Sequence, residues 1–400
     1  MGASSTEPNS DNPASPQPSL GFVSRDHHYF GPGPKHMLCL DGGGVRGVIT
    51  VAFLRRIEQV LSERYGSNLR LGDWFDLVGG TSTGAVIAGA LALGYRTDDL
   101  EKFYLQLAPR VFRRPSWRIM YWHAKFDSAA LLREIVTVAG SRTLDSSDLI
   151  TGLCVVAKRM DTGSPWIVAN NPKGPYWNTP ENRAFIGNRH YRLANLIRAS
   201  TAAPFFFDPE LLPIVESERD GLFLDGAITP HNNPSLAMFL MSTLKGYGIC
   251  WPTGPDRLLV CSVGTGEFRN LLSAAEARRI RAVGLAVRSL GTLIGDSSSL
   301  VLTLMQWLGE SPTAWFINEE ISTLEHDIPL GGPMFRFLRY NAVLEREWIR
   351  ENLDLKVSQS EVERVRLIDE PAMIPLAYEI GKRAAEQQVK IEHFARKENA

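Results

Sequence analysis

The chain has 400 residues, 44% of them hydrophobic and 22% charged. That balance fits a globular protein with one large α/β domain or two smaller ones, and excludes a disordered or fibrous chain. Its 43 Lys and Arg against 44 Asp and Glu leave a formal net charge of -1, so no nucleic-acid polymer is expected as a partner, and any attraction to a membrane must come from a local patch.

Residues 1–34 are rich in Ser, Pro, Asn and Gly, with too few apolar side chains to repay ordering, and predict a disordered tail. No basic start leads into an apolar core, so no secretory signal is expected. The sequence has no run of 18 uncharged apolar residues, and a membrane-spanning helix is not expected. Cys39, Cys154, Cys250 and Cys261 are far apart and lie mostly in apolar runs. Without Cys-x-x-Cys spacing they read as reduced core residues, which suits a cytoplasmic protein.

Residues 36–40 predict a short buried strand that runs into Asp41-Gly42-Gly43-Gly44-Val45-Arg46-Gly47. A helix with apolar positions Val51, Leu54, Ile57 and Leu61 follows. Gly42, Gly44 and Gly47 satisfy the Gly-x-Gly-x-x-Gly dinucleotide fingerprint, which also requires an acidic residue closing a second strand about 20 residues on. Here the chain stays helical through Glu63 and Arg64, and the next strand begins only near Phe75. The preferred reading is an anion hole, in which glycines let backbone N–H groups at a helix start point at a developing negative oxygen.

That next strand ends in Gly80-Thr81-Ser82-Thr83-Gly84 and leads into an apolar helix over 85–93. A Gly-x-Ser-x-Gly turn between strand and helix lifts the hydroxyl clear of the sheet, which makes Ser82 the candidate nucleophile and Gly80 and Gly84 its supports. The pattern alone would arise by chance roughly one time in seven in a chain this long, so the rest of the sequence must carry it. Residues 97–145 predict mainly helix. Within them, 110–125 interleave aromatics with cations, as at a lipid headgroup interface or as a surface helix whose aromatics pack inward.

Two strands are expected at 153–157 and 166–168, joined by the turn Asp161-Thr162-Gly163. A helix near 193–200 then enters Thr201-Ala202-Ala203-Pro204-Phe205-Phe206-Phe207. That segment suits either a pocket for acyl chains or an ordinary core corner. A further strand closes on Asp225-Gly226-Ala227, followed by Pro230-His231-Asn232-Asn233-Pro234. A serine needs a base to take its proton, and Asp225 at a strand end supplies one. Residues 257–266 predict one more buried strand and turn. Beyond 270 the chain reads as helical: 282–293 and 300–308 are apolar enough to cap a site or pack on a partner, and a tail helix spans 375–394.

In order, Asp41-Gly-Gly-Gly-Val-Arg-Gly47, Gly80-Thr-Ser-Thr-Gly84, Arg198-Ala-Ser-Thr-Ala-Ala-Pro204, Asp225-Gly-Ala227 with Asn232-Asn-Pro234, and Ser262-Val-Gly-Thr-Gly266 resemble the motif series of the patatin-like phospholipases. The resemblance covers about residues 36–390 and includes the segment 335–340. It implies a three-layer α/β/α fold around a central, mostly parallel sheet. The expected organisation is a disordered tail over 1–34, a patatin-like catalytic core over 35–270 and a helical C-terminal part over 271–400 packed on the same domain.

The resemblance further implies cleavage of fatty acyl esters of membrane lipids by a Ser-Asp dyad, without cofactor or metal. Ser82 would attack, Asp225 would act as base, and the N–H groups around Gly42, Gly43 and Gly44 would hold the oxyanion. Gly226 would support the turn after Asp225. Arg46 would brace the glycine loop, approach a lipid phosphate or form a buried salt bridge. Ala227 stands where a second glycine is common in the family. His231 completes the chain order of a Ser-Asp-His triad, although it lies only six residues past Asp225, and the dyad is the expectation.

The expected protein is a lipid acyl hydrolase of phospholipase A type, cytoplasmic and peripheral at the membrane. Three alternatives remain open: an acyltransferase with the same dyad, a membrane-damaging effector switched on by a small-molecule nucleotide activator, and a non-enzymatic storage or lipid-carrying scaffold.

Overall fold

The computed structural model describes residues 23–112, 124–215, 217, 219–269, 271–272, 274 and 278–395. Helix α1 (Arg25–Phe30) precedes β1 (Lys35–Leu40), α2 (Gly47–Tyr65), α3 (Leu71–Trp74), β2 (Leu77–Thr81), α4 (Thr83–Ala92) and α5 (Thr97–Val111). Then come α6 (Ser128–Ala139), β3 (Gly152–Arg159), β4 (Ser164–Ala169), α7 (Leu193–Ser200), β5 (Glu210–Val215), β6 (Arg219–Asp225), α8 (Ser235–Thr243) and β7 (Leu258–Val263). The last part holds α9 (Ala282–Leu308), β8 (Gly309–Glu310), β9 (Phe335–Tyr340), α10 (Arg346–Leu353), α11 (Gln359–Val365) and α12 (Ile374–Gln388).

The strands form one sheet in the order β5-β6-β3-β2-β1-β7-β9-β8, with β4 also paired to β3. Pairing is parallel from β3 through β2, β1, β7, β9 and β8 and antiparallel among β3, β4, β6 and β5. Successive residues of a strand face opposite sides, and in the buried strands both sides are apolar, as a sheet covered on both faces requires. On one face Leu38, Leu40, Val78, Val155, Cys261 and Leu338 join a core with α2, α4, α7 and α12. On the other, Met37, Cys39, Leu77, Cys154, Val260 and Phe337 join a core with α8 and the C-terminal end of α9. This is the three-layer, mostly parallel α/β/α fold that the motifs imply.

Several boundaries differ from the sequence expectation. Order begins before residue 35, because α1 starts at a Ser24 cap and buries His28 and Tyr29; residues 1–22 of the expected tail lie outside the described residues. The part beyond 270 is not only helical. Its strand β9 extends the sheet beside β7, and α12 packs so closely on α2 that a Cβ on Gly381 would come 2.9 Å from Ile49 Cα. Of the cysteines, Cys250 is exposed and the other three are buried. Most of the aromatic and cationic stretch, 113–123, lies outside the described residues.

One buried ion pair ties the N-terminal and C-terminal parts together. The register places Arg339 beside Ser262 on β7, and Ser262 beside Cys39 on β1. The Arg339 side chain reaches across β7, donating to Ser262 Oγ at 2.7 Å and to both carboxylate oxygens of Asp41 at 3.1 and 2.7 Å. Both partners are buried. Burial pushes the Asp41 carboxyl up, and the guanidinium pulls it back. Removing one member of such a pair strands a buried charge, which costs about 3–5 kcal/mol. Arg339→Leu is therefore expected to lower the urea-unfolding free energy by about that amount, with Asp41→Asn added to Arg339→Leu recovering much of the loss. A double variant as unstable as the single one would mean that packing, not the stranded carboxylate, sets the penalty.

Candidate active site

Ser82 occupies the step between β2 and α4 with φ 55° and ψ -124°. For a non-glycine residue this conformation costs on the order of 1–3 kcal/mol and persists only where the surroundings enforce it. A Cβ on Gly80 would lie 2.1 Å from the Gly84 carbonyl carbon, and one on Gly84 would lie 2.3 Å from Leu40 O. The turn can therefore close only with glycine at both places. Ser82 N–H donates to Ser200 Oγ at 2.8 Å, and Ser200 Oγ donates to Val156 O at 2.6 Å. Ser200 sits inside the quoted 198–204 motif, but sequence reasoning gave it no role; the structure makes it the clamp on the backbone of Ser82.

Asp225 is brought to Ser82 by strand register. On β3, Val156 is the last residue paired to β2, opposite Thr81, and the adjacent Ala157 is paired to Asp225 on β6. The two strands thus meet one edge of β3 at consecutive residues, and the side chains that follow them converge. Ser82 Oγ donates to Asp225 Oδ2 at 2.6 Å, while Ala227 N–H donates to Oδ1 at 2.8 Å. A Cβ on Gly226 would come 2.3 Å from Val156 O, so this turn also needs glycine. Asp225 is 2% exposed. Burial pushes its pKa up to about 6 against the opposing hydrogen bonds from Ser82 and Ala227 and the charge of Arg198.

The glycine loop lies on the other side of Ser82: a Cβ on Gly42 would come 3.2 Å from Ser82 Cβ. The N–H of Gly42 is already bonded to Asn232 O at 3.1 Å, which leaves this glycine as a spacer. Among the described residues, the N–H groups of Gly43, Gly44 and Thr83 have no acceptor. Gly44 has φ 59°, and a Cβ there would meet Ile368 O at 2.2 Å. Three neighbours hold the loop: Thr265 Oγ1 donates to Gly42 O at 2.9 Å, Val45 N–H donates to Ile368 O at 2.9 Å, and Asp41 is held by Arg339.

Arg46 braces this loop. It donates to Gly266 O at 3.4 Å and lies over the Phe268 ring at 5.4 Å; burial pulls its pKa down to about 10. Among the described residues it makes no ion pair. The Thr201–Phe207 region resolves toward the core-corner alternative, because Phe206 and Phe207 pack with Phe112 and Phe126 while Phe205 is exposed. His231 has no ring hydrogen bond to Ser82 or Asp225. Its carbonyl accepts from Thr81 Oγ1 at 2.6 Å and its N–H donates to Thr229 Oγ1 at 3.1 Å. Burial lowers its pKa, which disfavours the imidazolium.

The fold and the site define the class: an α/β protein carrying a serine–aspartate pair at a sharp strand-to-helix turn. The family model described as patatin-like phospholipase matches residues 38–239, about half of the 400-residue chain, and the chain belongs to that family. It is 30% identical over 210 residues to a cGAMP-activated phospholipase of Vibrio cholerae, spanning 50% of this chain and 55% of that one. A cGAMP-activated phospholipase of Escherichia coli is 29% identical over 274 residues, 67% of this chain and 71% of that one. Patatin-like protein 1 of Arabidopsis thaliana is 27% identical over 256 residues, 58% and 59% of the two chains. Human GIVD cytosolic phospholipase A2 superimposes with a TM-score of 0.45 and 11% identity, covering 90% of this chain and 59% of that structure.

The geometry predicts that His231→Ala retains most of the ester hydrolysis measured on a soluble chromogenic ester. A loss as deep as that of Ser82→Ala would bring the imidazole into the chemistry.

Proposed function

We propose that this protein hydrolyses fatty acyl esters of membrane lipids, a phospholipase A-type reaction, with Ser82 as nucleophile and Asp225 as base. The observation that carries this reading is the 2.6 Å hydrogen bond from Ser82 Oγ to the buried Asp225 carboxylate. Family membership supports the lipid ester as substrate. As Ser82 Oγ attacks the acyl carbon, its proton passes to Asp225, and negative charge gathers on the former carbonyl oxygen. The N–H groups of Gly43 and Gly44, and Thr83 N–H at the start of α4, are unspent donors for that charge. Asp225 then returns the proton to the departing alcohol, leaving an acyl-serine. A water that gives its proton to the same carboxylate attacks this ester, and Asp225 passes that proton to the departing Ser82 Oγ, which frees the fatty acid and restores both residues. A lipid substrate supports peripheral contact with the membrane; no described helix is long and apolar enough to cross one.

Similarity to proteins named as cGAMP-activated and cUMP-AMP-activated phospholipases supports a small-molecule activator as a further part of the reading. Fatty acid release from phospholipid vesicles that appears only when a cyclic dinucleotide is added would establish it, and release that is indifferent to such additions would remove it.

The base must be ionised, so kcat/KM on a soluble ester is expected to fall about tenfold per pH unit below about 6 and to level off above it. A plateau continuing down to pH 4 would exclude Asp225 as base. The raised pKa also bears on stability. The folded value of about 6 lies above the ordinary 3.8, so this group's contribution is full below 3.8 and is lost as pH rises through 6. Asp225→Asn is therefore expected to abolish fatty acid release yet gain up to about 3 kcal/mol of unfolding free energy at pH 8, the gain shrinking as pH falls toward 4.

A further inference from the structure

Helix α9 is the longest among the described residues, and its two ends sit in different surroundings. Near its C-terminus Val301, Leu302 and Met305 are buried against the sheet. Toward the N-terminus the helix leaves the body, and large apolar side chains stay exposed: Leu285 44%, Leu293 61% and Leu300 59%, with Trp307 at 42% beyond them. At 100° per residue these four fall within an arc of about 80°, so they form one stripe, interrupted by Ser289, Thr303 and the exposed Asp296. A soluble protein rarely leaves such a stripe uncovered.

Charge indicates what covers it. Between Arg278 and Leu308 the sequence holds four arginines, Arg278, Arg279, Arg281 and Arg288, against a single acid, Asp296. The first three are exposed at the outer end of the helix. Arg288 donates to Leu271 O and so holds the exposed Leu271 alongside. An apolar stripe with cations at its edge matches an anionic lipid surface. It is a poor match for a second copy of the same stripe, which would bring four further arginines to it.

The opposite, inward face of the helix is tied to the site. Asn232 Nδ2 lies 3.5 Å from Ser298 Oγ on α9, and Asn232 O holds the Gly42 N–H.

We propose that the outer part of α9 is a docking element that lies in the headgroup region of an anionic bilayer and seats the active site against it. This rests on the hydrolase reading above, but its test requires no turnover. Full-length chain carrying Ser82→Ala is sedimented with vesicles of phosphatidylcholine alone and with vesicles containing phosphatidylglycerol. The expected result is binding that favours phosphatidylglycerol vesicles and weakens as salt rises. Combining Leu285→Ser, Leu293→Ser and Leu300→Ser should weaken it by about tenfold or more. Combining Arg278→Ser, Arg279→Ser and Arg281→Ser should remove the preference for phosphatidylglycerol. With Ser82 retained, circular dichroism and soluble-ester hydrolysis of both variants should match those of the unaltered chain, so that loss of binding is not loss of fold.

Vesicle binding unchanged by the leucine substitutions would overturn the proposal. So would an unaltered chain that ignores both vesicle types, or a leucine variant whose main effect in analytical ultracentrifugation is to split a dimer, since the stripe would then join two copies. Binding that behaves as expected in a protein that cleaves no ester would uphold the docking element and count against the hydrolase reading alone.

Discussion

The site depends on one edge of β3. Val156 is the last residue on that edge to pair with β2, and the next, Ala157, pairs with β6. Two strands separated by more than a hundred residues of chain thus meet end to end, one delivering Ser82 and the other Asp225. The resulting 2.6 Å contact follows from backbone hydrogen bonding and does not depend on flexible side chains finding each other. The cost appears in the turns. Ser82 sits in strained backbone, and Gly80, Gly84 and Gly226 occupy places where any Cβ would strike a neighbouring main chain.

The glycine loop on the other side of Ser82 is fixed from below. Asp41, its first residue, is gripped by Arg339 from two strands away, and Thr265 holds the carbonyl of Gly42. Arg46 at the far end is held by Gly266 and Phe268. The same turn, 264–266, is in turn secured by Asn341, which accepts from Gly266 N–H at 2.8 Å and donates to Glu267 at 3.1 Å. A loop that must present free N–H groups cannot satisfy them internally. Rigidity therefore has to come from its other groups, and neighbouring segments hold the Gly42 carbonyl, the Asp41 and Arg46 side chains and the N–H groups of Gly42 and Val45.

The local parts of this site were legible in the sequence because they are local: a strand–turn–helix around Ser82, a glycine loop at a helix start, an aspartate closing a strand. What escaped was supplied from a distance. Ser200, the clamp on Ser82, lies 118 residues away and Arg339 lies 298 residues from Asp41, and no periodicity or spacing links such pairs. Gly42 shows a different limit. Its glycine identity marked it as an oxyanion donor, but the tertiary contact with Asn232 consumes its N–H and leaves it a steric role. The boundary near 35 misled for a compositional reason: the polar, Pro-rich run around α1 hides His28 and Tyr29, which Asp76 and Asn170 bind from the sheet side.

Under the proposed chemistry, burial of Asp225 is what makes a two-residue mechanism workable. An ordinary carboxylate, near 3.8, is a weak base for a serine hydroxyl. Enclosing it raises its proton affinity toward 6 while leaving it ionised at neutral pH, the compromise a general base requires. The hydrogen bonds from Ser82 and Ala227 limit that rise, since each stabilises the anion. The Ser82 bond belongs to the ground state and is given up as the proton moves, whereas the Ala227 bond persists through the reaction. The remaining barrier then falls to the unspent amides of the glycine loop and the start of α4, where charge appears only in the transition state.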